Sequence, residues 1–170
     1  MAPIVLVGVP GAGKTTVGKL LARELNVNFF DSDQVIESRA GKSVSDIFTQ
    51  DGEPAFRKLE HDIVCELLQT DEAVLALGGG SLGNDDTRSQ VRKAKVVWLI
   101  AGLAQAVDRV GMNRNRPLLL GNVRGQLADL MAAREPLYKE VATIAIDTSK
   151  LIPSEVVQAI TDDLAKLEVG

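Results

Sequence analysis

Short, uninterrupted apolar runs alternate with segments of helical periodicity along the chain. The apolar runs predict strands at about residues 4–7, 27–30, 74–77, 95–100 and 143–147. Strands that are apolar on both faces and separated by helices are typical of a parallel sheet with helices on each side. The pattern therefore predicts an α/β domain in three layers, α/β/α.

Helical periodicity is clearest in three segments, at about residues 15–25, 53–68 and from 153 onward. Two segments between such elements are irregular, and they cover residues 78–83 and 111–123. The second is bounded by glycine and rich in arginine, which suits a moving lid over a phosphate site. It could equally be a plain surface connection, and the pattern does not decide between the two.

Size and composition predict a single domain spanning residues 1–170 with a substantial core. A net charge of −4 argues against general binding of nucleic acid. The single cysteine, Cys65, excludes an internal disulfide and favours a reducing compartment. Because no apolar run approaches the ~18 residues of a membrane span, we expect a cytoplasmic protein without a membrane partner. The acidic composition favours a monomer.

The most specific motif is a phosphate-binding loop at residues 8–15, which reads Gly-Val-Pro-Gly-Ala-Gly-Lys-Thr. It follows an apolar strand and precedes a helix, the context that this motif requires. Backbone N–H groups and the helix N-terminus favour bound phosphate, Lys14 suits the β- and γ-phosphates, and Thr15 suits Mg²⁺. The alternative is a glycine-rich turn without a ligand. The complete motif favours binding of a nucleoside triphosphate.

A pair of carboxylates, Asp31 and Asp33, follows the second predicted strand. In extended backbone, residues two apart face the same side, so we expect both carboxylates at the carboxyl edge of the sheet, where ligands bind. One carboxylate would then serve Mg²⁺, and the other would accept a proton from an attacking hydroxyl. An Asx-type turn that merely closes the strand fits the same residues.

Arg57 and Glu60 lie three residues apart, on one face of the helix predicted at 53–68. They could form a solvated ion pair of little consequence. Alternatively, Glu60 holds the guanidinium of Arg57 toward an anion. Spacing alone leaves both possibilities open.

Three glycines, Gly78, Gly79 and Gly80, end the third predicted strand and suggest close approach of a ligand to the backbone. A flexible turn is the alternative. The strand lacks the acidic residue that usually ends it in such proteins, so Asp31 becomes the candidate for Mg²⁺.

The order of these motifs over nearly the whole chain resembles the shikimate kinase family. The resemblance is carried by residues 8–15, 31–37, 43–48, 52–60, 77–80, 116–119, 134–138, 147–148 and Pro153. It implies a five-stranded parallel sheet of the P-loop, nucleoside-monophosphate-kinase type, with a shikimate-binding region at about 31–60 and a lid at about 111–123. It also implies transfer of the γ-phosphoryl group of ATP to the 3-hydroxyl of shikimate, with Mg²⁺, on the way to chorismate and the aromatic amino acids.

The resemblance also implies roles for single residues. Those implied to contact ATP are Gly11, Ala12, Gly13, Lys14, Thr15, Thr16, Arg109, Arg116 and Pro153. Those implied to contact shikimate are Asp33, Phe48, Phe56, Arg57, Glu60, Gly78, Gly79, Gly80, Pro117 and Arg134. Asp33 is the implied base, assisted by Lys14 and by Arg116 of the lid, and Thr15 and Asp31 would serve the metal.

Two departures from the family pattern stand out. Ala76 replaces a hydroxyl residue near the metal, and residues 112–115 diverge, so Arg114 receives no role. The nearest rival is a gluconate or nucleoside-monophosphate kinase of the same fold. A guanine-nucleotide switch would need an Asn-Lys-x-Asp motif, which the sequence lacks. A nucleotide-binding protein without catalysis would not need Lys14, Asp31 and Asp33.

Overall fold

A computed structural model describes residues 2–112 and 123–169 of the chain, with side chains for residues 2–109 and 124–169. Most of the lid predicted at 111–123, including Arg114, Arg116 and Pro117, lies outside the described residues. Within the described part, no helix combines the length and apolar character needed to cross a membrane.

The centre of the fold is a five-stranded parallel sheet in the order β2-β3-β1-β4-β5. The strands are β1 (Ile4–Val7), β2 (Asn28–Asp31), β3 (Ala73–Ala76), β4 (Lys95–Ile100) and β5 (Ile144–Asp147). Residues Val5, Leu6, Val74, Leu75, Val96 and Val97 are fully buried. Strands that are apolar on both faces therefore form the core, which confirms the predicted α/β fold.

Helices cover this sheet and connect its strands. Their bounds are α1 (Lys14–Leu25), α2 (Ser32–Ala40), α3 (Val44–Asp51), α4 (Glu53–Leu67), α5 (Asp85–Val91), α6 (Leu103–Met112), α7 (Val123–Val141) and α8 (Pro153–Val169), with a short 3₁₀ turn at Ser81–Gly83. The helices predicted near residues 15, 53 and 153 are present.

Helix α2 was not predicted, and it changes the geometry of the acidic pair. Asp31 is the last residue of β2 and also the N-cap of α2, where its Oδ1 accepts hydrogen bonds from the backbone N–H groups of Asp33 and Gln34. Asp33 therefore lies in the first helical turn, and the expectation of extended backbone through Asp33 is wrong. Serine and aspartate favour both turns and helix N-termini, which is why the residue types alone did not separate the two.

Candidate active site

The phosphate loop wraps closely around its own lysine. Lys14 Nζ donates to the carbonyl oxygen of Gly8 over 2.6 Å and to that of Val9 over 3.2 Å. Gly11 and Gly13 have φ values of 85° and 92°, a region that favours glycine. A Cβ on Gly11 would also lie 2.8 Å from the backbone oxygen of Ala106. The loop conformation therefore requires glycine at residue 11 for two independent reasons.

Asp31 connects the second strand to this loop. The hydroxyl of Thr15 donates to Asp31 Oδ2 over 3.1 Å. Asp31 is also paired in register with Ala76, the last residue of β3. A carboxylate is thus present on the neighbouring strand, level with the end of β3, which has none.

Asp33 points in another direction, toward the turn that follows β3. This turn consists of Gly78, Gly79 and Gly80 and is called the glycine turn. A Cβ placed on Gly78 would lie 2.5 Å from Asp33 Oδ1. Asp31 and Asp33 nevertheless both line one cleft together with Lys14 and Thr15. The two carboxylates do share a cleft, but not because they lie on one face of an extended strand. They diverge where the strand turns into helix α2, and both still reach the cleft.

The three glycines each give room to one charged side chain. A Cβ would lie 2.5 Å from Asp33 Oδ1 at Gly78, 2.5 Å from Arg134 Nη1 at Gly79 and 2.5 Å from Arg57 Nη1 at Gly80. None of these glycines has a positive φ. Glycine is needed here for space and not for an unusual backbone conformation. The turn brings an acid and two arginines onto three consecutive residues.

Glu60 is buried, with 3% of its surface exposed, and it contacts Arg57. Arg57 Nη1 donates to Glu60 Oε1 over 2.9 Å; the carboxylate is buried, while 34% of the Arg57 side chain is exposed, so the pair is only partly solvated. Burial raises the pKa of Glu60, while the hydrogen bond and charge of Arg57 act in the opposite direction. The charges of Asp33 and Arg134 also act on Glu60, which places all four groups in one electrostatic cluster.

Two neighbouring aromatic rings lie close to the same guanidinium. The Arg57 Cζ atom lies 5.8 Å from the centroid of Phe48 and 5.3 Å from that of Phe56, and the two ring centroids are 4.6 Å apart. The two rings, tilted by 37° to each other, and the Glu60 carboxylate together restrict the planar group. Arg57 is therefore held in a fixed orientation at the edge of the glycine turn.

Arg134 reaches the site from helix α7. One turn further along that helix, Tyr138 is buried, with its ring centroid 5.7 Å from that of Trp98 on β4. Burial raises the pKa of Tyr138 to about 12, against the opposing charge of Arg134. A neutral, packed tyrosine fixes this turn of the helix against the sheet and so places Arg134 beside Gly79.

The cleft of about 390 Å³ extends from the acidic pair along the phosphate loop to the start of helix α8. Arg109 and Pro153 both line it, together with Thr148 and Leu151. Arg109 Nη1 also donates to the carbonyl oxygen of Gly11 over 2.9 Å. Arg57 and Arg134 do not line this cleft. They lie beside the glycine turn, two residues of which, Gly78 and Gly79, form one end of the cleft.

The oxygen donors at this site suit Mg²⁺. Thr15 and Asp31 present a hydroxyl and a carboxylate side by side. Across the described ranges, no group of three or more His, Cys, Asp or Glu side chains could hold a metal ion. Beside nucleotide phosphates, Mg²⁺ needs only one or two protein ligands, because water molecules and phosphate oxygens occupy its other coordination positions.

Comparison with known proteins agrees with this geometry. The family model described as shikimate kinase matches residues 10–165. The shikimate kinase of Thermobifida fusca is 49% identical over 160 residues, which are 94% of this chain and 93% of that protein. The shikimate kinase of Pseudomonas fluorescens is 44% identical, with 98% of each chain covered. A solved structure, shikimate kinase from Acinetobacter baumannii in complex with shikimate, has a TM-score of 0.95 and 36% identity, covering 100% of this chain and 96% of that one.

Proposed function

This chain belongs to the shikimate kinase family, and we propose that it transfers the γ-phosphoryl group of ATP to the 3-hydroxyl of shikimate, giving shikimate 3-phosphate and ADP. The observation that carries the proposal is the glycine turn, where Gly78, Gly79 and Gly80 contact Asp33, Arg134 and Arg57 in that order. A base and two cations beside a phosphate loop suit an acceptor that carries both a hydroxyl and a carboxylate.

Shikimate is a small ring with one carboxylate and three hydroxyls. Arg57 and Arg134 bind the carboxylate, since a planar guanidinium matches its two oxygens. Glu60 keeps Arg57 in place. Gly79 and Gly80 offer backbone N–H groups to ring hydroxyls, and the faces of Phe48 and Phe56, with Pro117, contact the ring.

ATP occupies the cleft along the phosphate loop. Lys14 and the N–H groups of the loop bind its phosphates. Arg109 and Pro153, which line the same cleft, contact the adenine. Arg116, outside the described residues, would close with the lid onto the phosphates. Closure of such a lid excludes water that would otherwise accept the phosphoryl group.

The Thr15 hydroxyl and the Asp31 carboxylate, which lie side by side, would hold Mg²⁺. When bound, it neutralises charge on the β- and γ-phosphate oxygens. Ala76, in register with Asp31, carries no hydroxyl. This chain would therefore supply one polar group fewer near Mg²⁺ than the family pattern, which has a hydroxyl residue at this point.

The chemical step is an in-line transfer. Asp33 accepts the proton of the 3-hydroxyl while that oxygen forms a bond to the γ-phosphorus. The bond from the γ-phosphorus to the bridging oxygen breaks, and ADP leaves with the electron pair. Alignment and cationic groups supply most of the rate enhancement, because phosphoryl transfer leaves little covalent work for the protein.

An assay of ADP release by the purified protein, with ATP and Mg²⁺, tests the proposal on a panel of acceptors. Shikimate should support turnover at least about 10²-fold faster than gluconate or a nucleoside monophosphate. Gluconate has the same groups on an open, flexible chain, so it cannot align its carboxylate with Arg57 and Arg134 and its hydroxyl with Asp33 as a rigid ring can. Equal turnover with gluconate, or none with shikimate, would contradict it.

A further inference from the structure

We propose that Ser32 is a positioning residue for the acceptor half of the site, acting through the backbone of Gly78. The Ser32 hydroxyl accepts a hydrogen bond from the Gly78 N–H over 2.8 Å, although the two residues lie 46 positions apart. This inference rests on the proposed function for the reaction that it affects. No sequence pattern points to Ser32, because a serine between two aspartates carries no signal of its own.

The burial of Ser32 makes this hydrogen bond consequential. Ser32 is 0% exposed, in a chain whose other buried polar residues are few within the described ranges. Gly78 itself is half-buried and lines the cleft, so the buried hydroxyl of Ser32 is what gives its N–H a partner at a fixed position. Without that hydroxyl the turn loses this restraint, and Gly79 and Gly80 would shift with Gly78.

Three consecutive residues make three different connections at this point. Asp31 accepts from Thr15 of the phosphate loop, Ser32 accepts from Gly78, and Asp33 contacts Gly78 with its carboxylate. Asp31 is directed to the phosphate loop, whereas Ser32 and Asp33 are directed to Gly78, because the chain passes from strand β2 into helix α2 between them. Ser32 is therefore the link that fixes the glycine turn relative to both carboxylates.

The opposite end of Gly78 is held differently. Its carbonyl oxygen accepts from both the N–H and the hydroxyl of Ser81. Removing the Ser81 hydroxyl leaves the backbone hydrogen bond of 3.1 Å in place. Ser81→Ala is thus a matched control: it removes a buried hydroxyl from the same turn without leaving a backbone group unpaired.

The test compares Ser32→Ala with Ser81→Ala by steady-state kinetics for each substrate separately. Because a displacement of about 1 Å can cost about 10²-fold, Ser32→Ala should lower kcat/KM for shikimate by about 10- to 100-fold and change the KM for ATP by less than about twofold. Ser81→Ala should lower kcat/KM for shikimate by less than about threefold, since its backbone bond remains. A KM for ATP raised as much as the KM for shikimate, or an equal loss of kcat/KM for shikimate in the two variants, would overturn the inference.

Amide hydrogen exchange followed by NMR gives a second readout that needs neither turnover nor a folded variant. In the wild-type protein the Gly78 amide should exchange at least about tenfold more slowly than the Gly79 amide, because its hydrogen bond goes to the hydroxyl of the fully buried Ser32. Equal exchange of the two amides would overturn the inference. Failure of the proposed function would appear elsewhere, as a wild-type protein that releases no ADP with shikimate while the Gly78 amide stays protected.

Discussion

The hydroxyl of Thr15 donates to Asp31 Oδ2 over 3.1 Å, and this hydrogen bond joins the phosphate loop to the second strand. The next two residues, Ser32 and Asp33, reach Gly78 at the end of the third strand. The carboxyl ends of three strands are thereby tied to one another. The nucleotide side and the acceptor side of the site are consequently parts of one rigid edge of the sheet.

Removal of the proposed base should abolish transfer without abolishing nucleotide binding. A positioned general base contributes about 10²–10⁴-fold, so Asp33→Ala should lower kcat by that factor. Titration calorimetry should still show ATP binding, because Lys14 and the loop are untouched. Asp62→Ala, on the exposed outer face of helix α4, serves as the control. Normal turnover by Asp33→Ala would rule out the assigned role.

Truncation of the arginine should affect shikimate far more than ATP. Arg57→Ala removes a guanidinium that is held by Glu60 and two aromatic rings, and it should raise the Kd for shikimate at least about tenfold. Lys58→Ala removes the neighbouring charge, which faces solvent beside Asp62, and should leave both affinities unchanged. Equal weakening of the two substrates by Arg57→Ala, measured by titration, would refute the assignment.

A single methyl group on the glycine turn should have a large effect on one substrate. Gly80→Ala would place a Cβ 2.5 Å from Arg57 Nη1, while Gly83→Ala would meet nothing within 4 Å. The Arg57 side chain can move away, so Gly80→Ala should fold normally yet raise the KM for shikimate about tenfold or more. Indistinguishable kinetics of the Gly80 and Gly83 variants would show that the turn does not need its glycine.

The raised pKa of Glu60 has a consequence for stability. Burial makes the folded protein hold a proton on Glu60 at pH values where the unfolded chain has released it. As pH rises above the ordinary range of a glutamate, ionisation therefore favours the unfolded state. The free energy of unfolding of Glu60→Gln, measured in urea from pH 4 to pH 8, should rise relative to that of the wild-type protein. A difference that is constant with pH would contradict this account.

The phosphate loop could be located from sequence because its residue types follow directly from its chemistry. Lys14, Thr15 and the glycines have few substitutes for binding phosphate. The position of Asp31 at this edge could also be predicted, since a strand without its terminal acid needs a neighbour to supply one; its role toward Mg²⁺ stays a prediction. These predictions required only that parallel strands end at a common edge.

Other features could not be predicted, for physical reasons specific to each. Residue spacing placed Arg57 and Glu60 on one face, but only the packed structure shows Glu60 to be buried. Three glycines suggested close approach of a ligand, but not that each one gives room to a different charged side chain. Ser32 depends on a contact 46 residues away, which no local pattern encodes. Arg116 and Pro117 remain predictions.

The most direct test of the account is a crystal structure of the protein with ADP and shikimate bound. The carboxylate of shikimate should contact Arg57 and Arg134, and its 3-hydroxyl should lie about 2.6–3.2 Å from a carboxylate oxygen of Asp33, on the side facing the phosphate loop. Shikimate bound away from the Gly78–Gly80 turn, or with its 3-hydroxyl directed away from Asp33, would contradict the account.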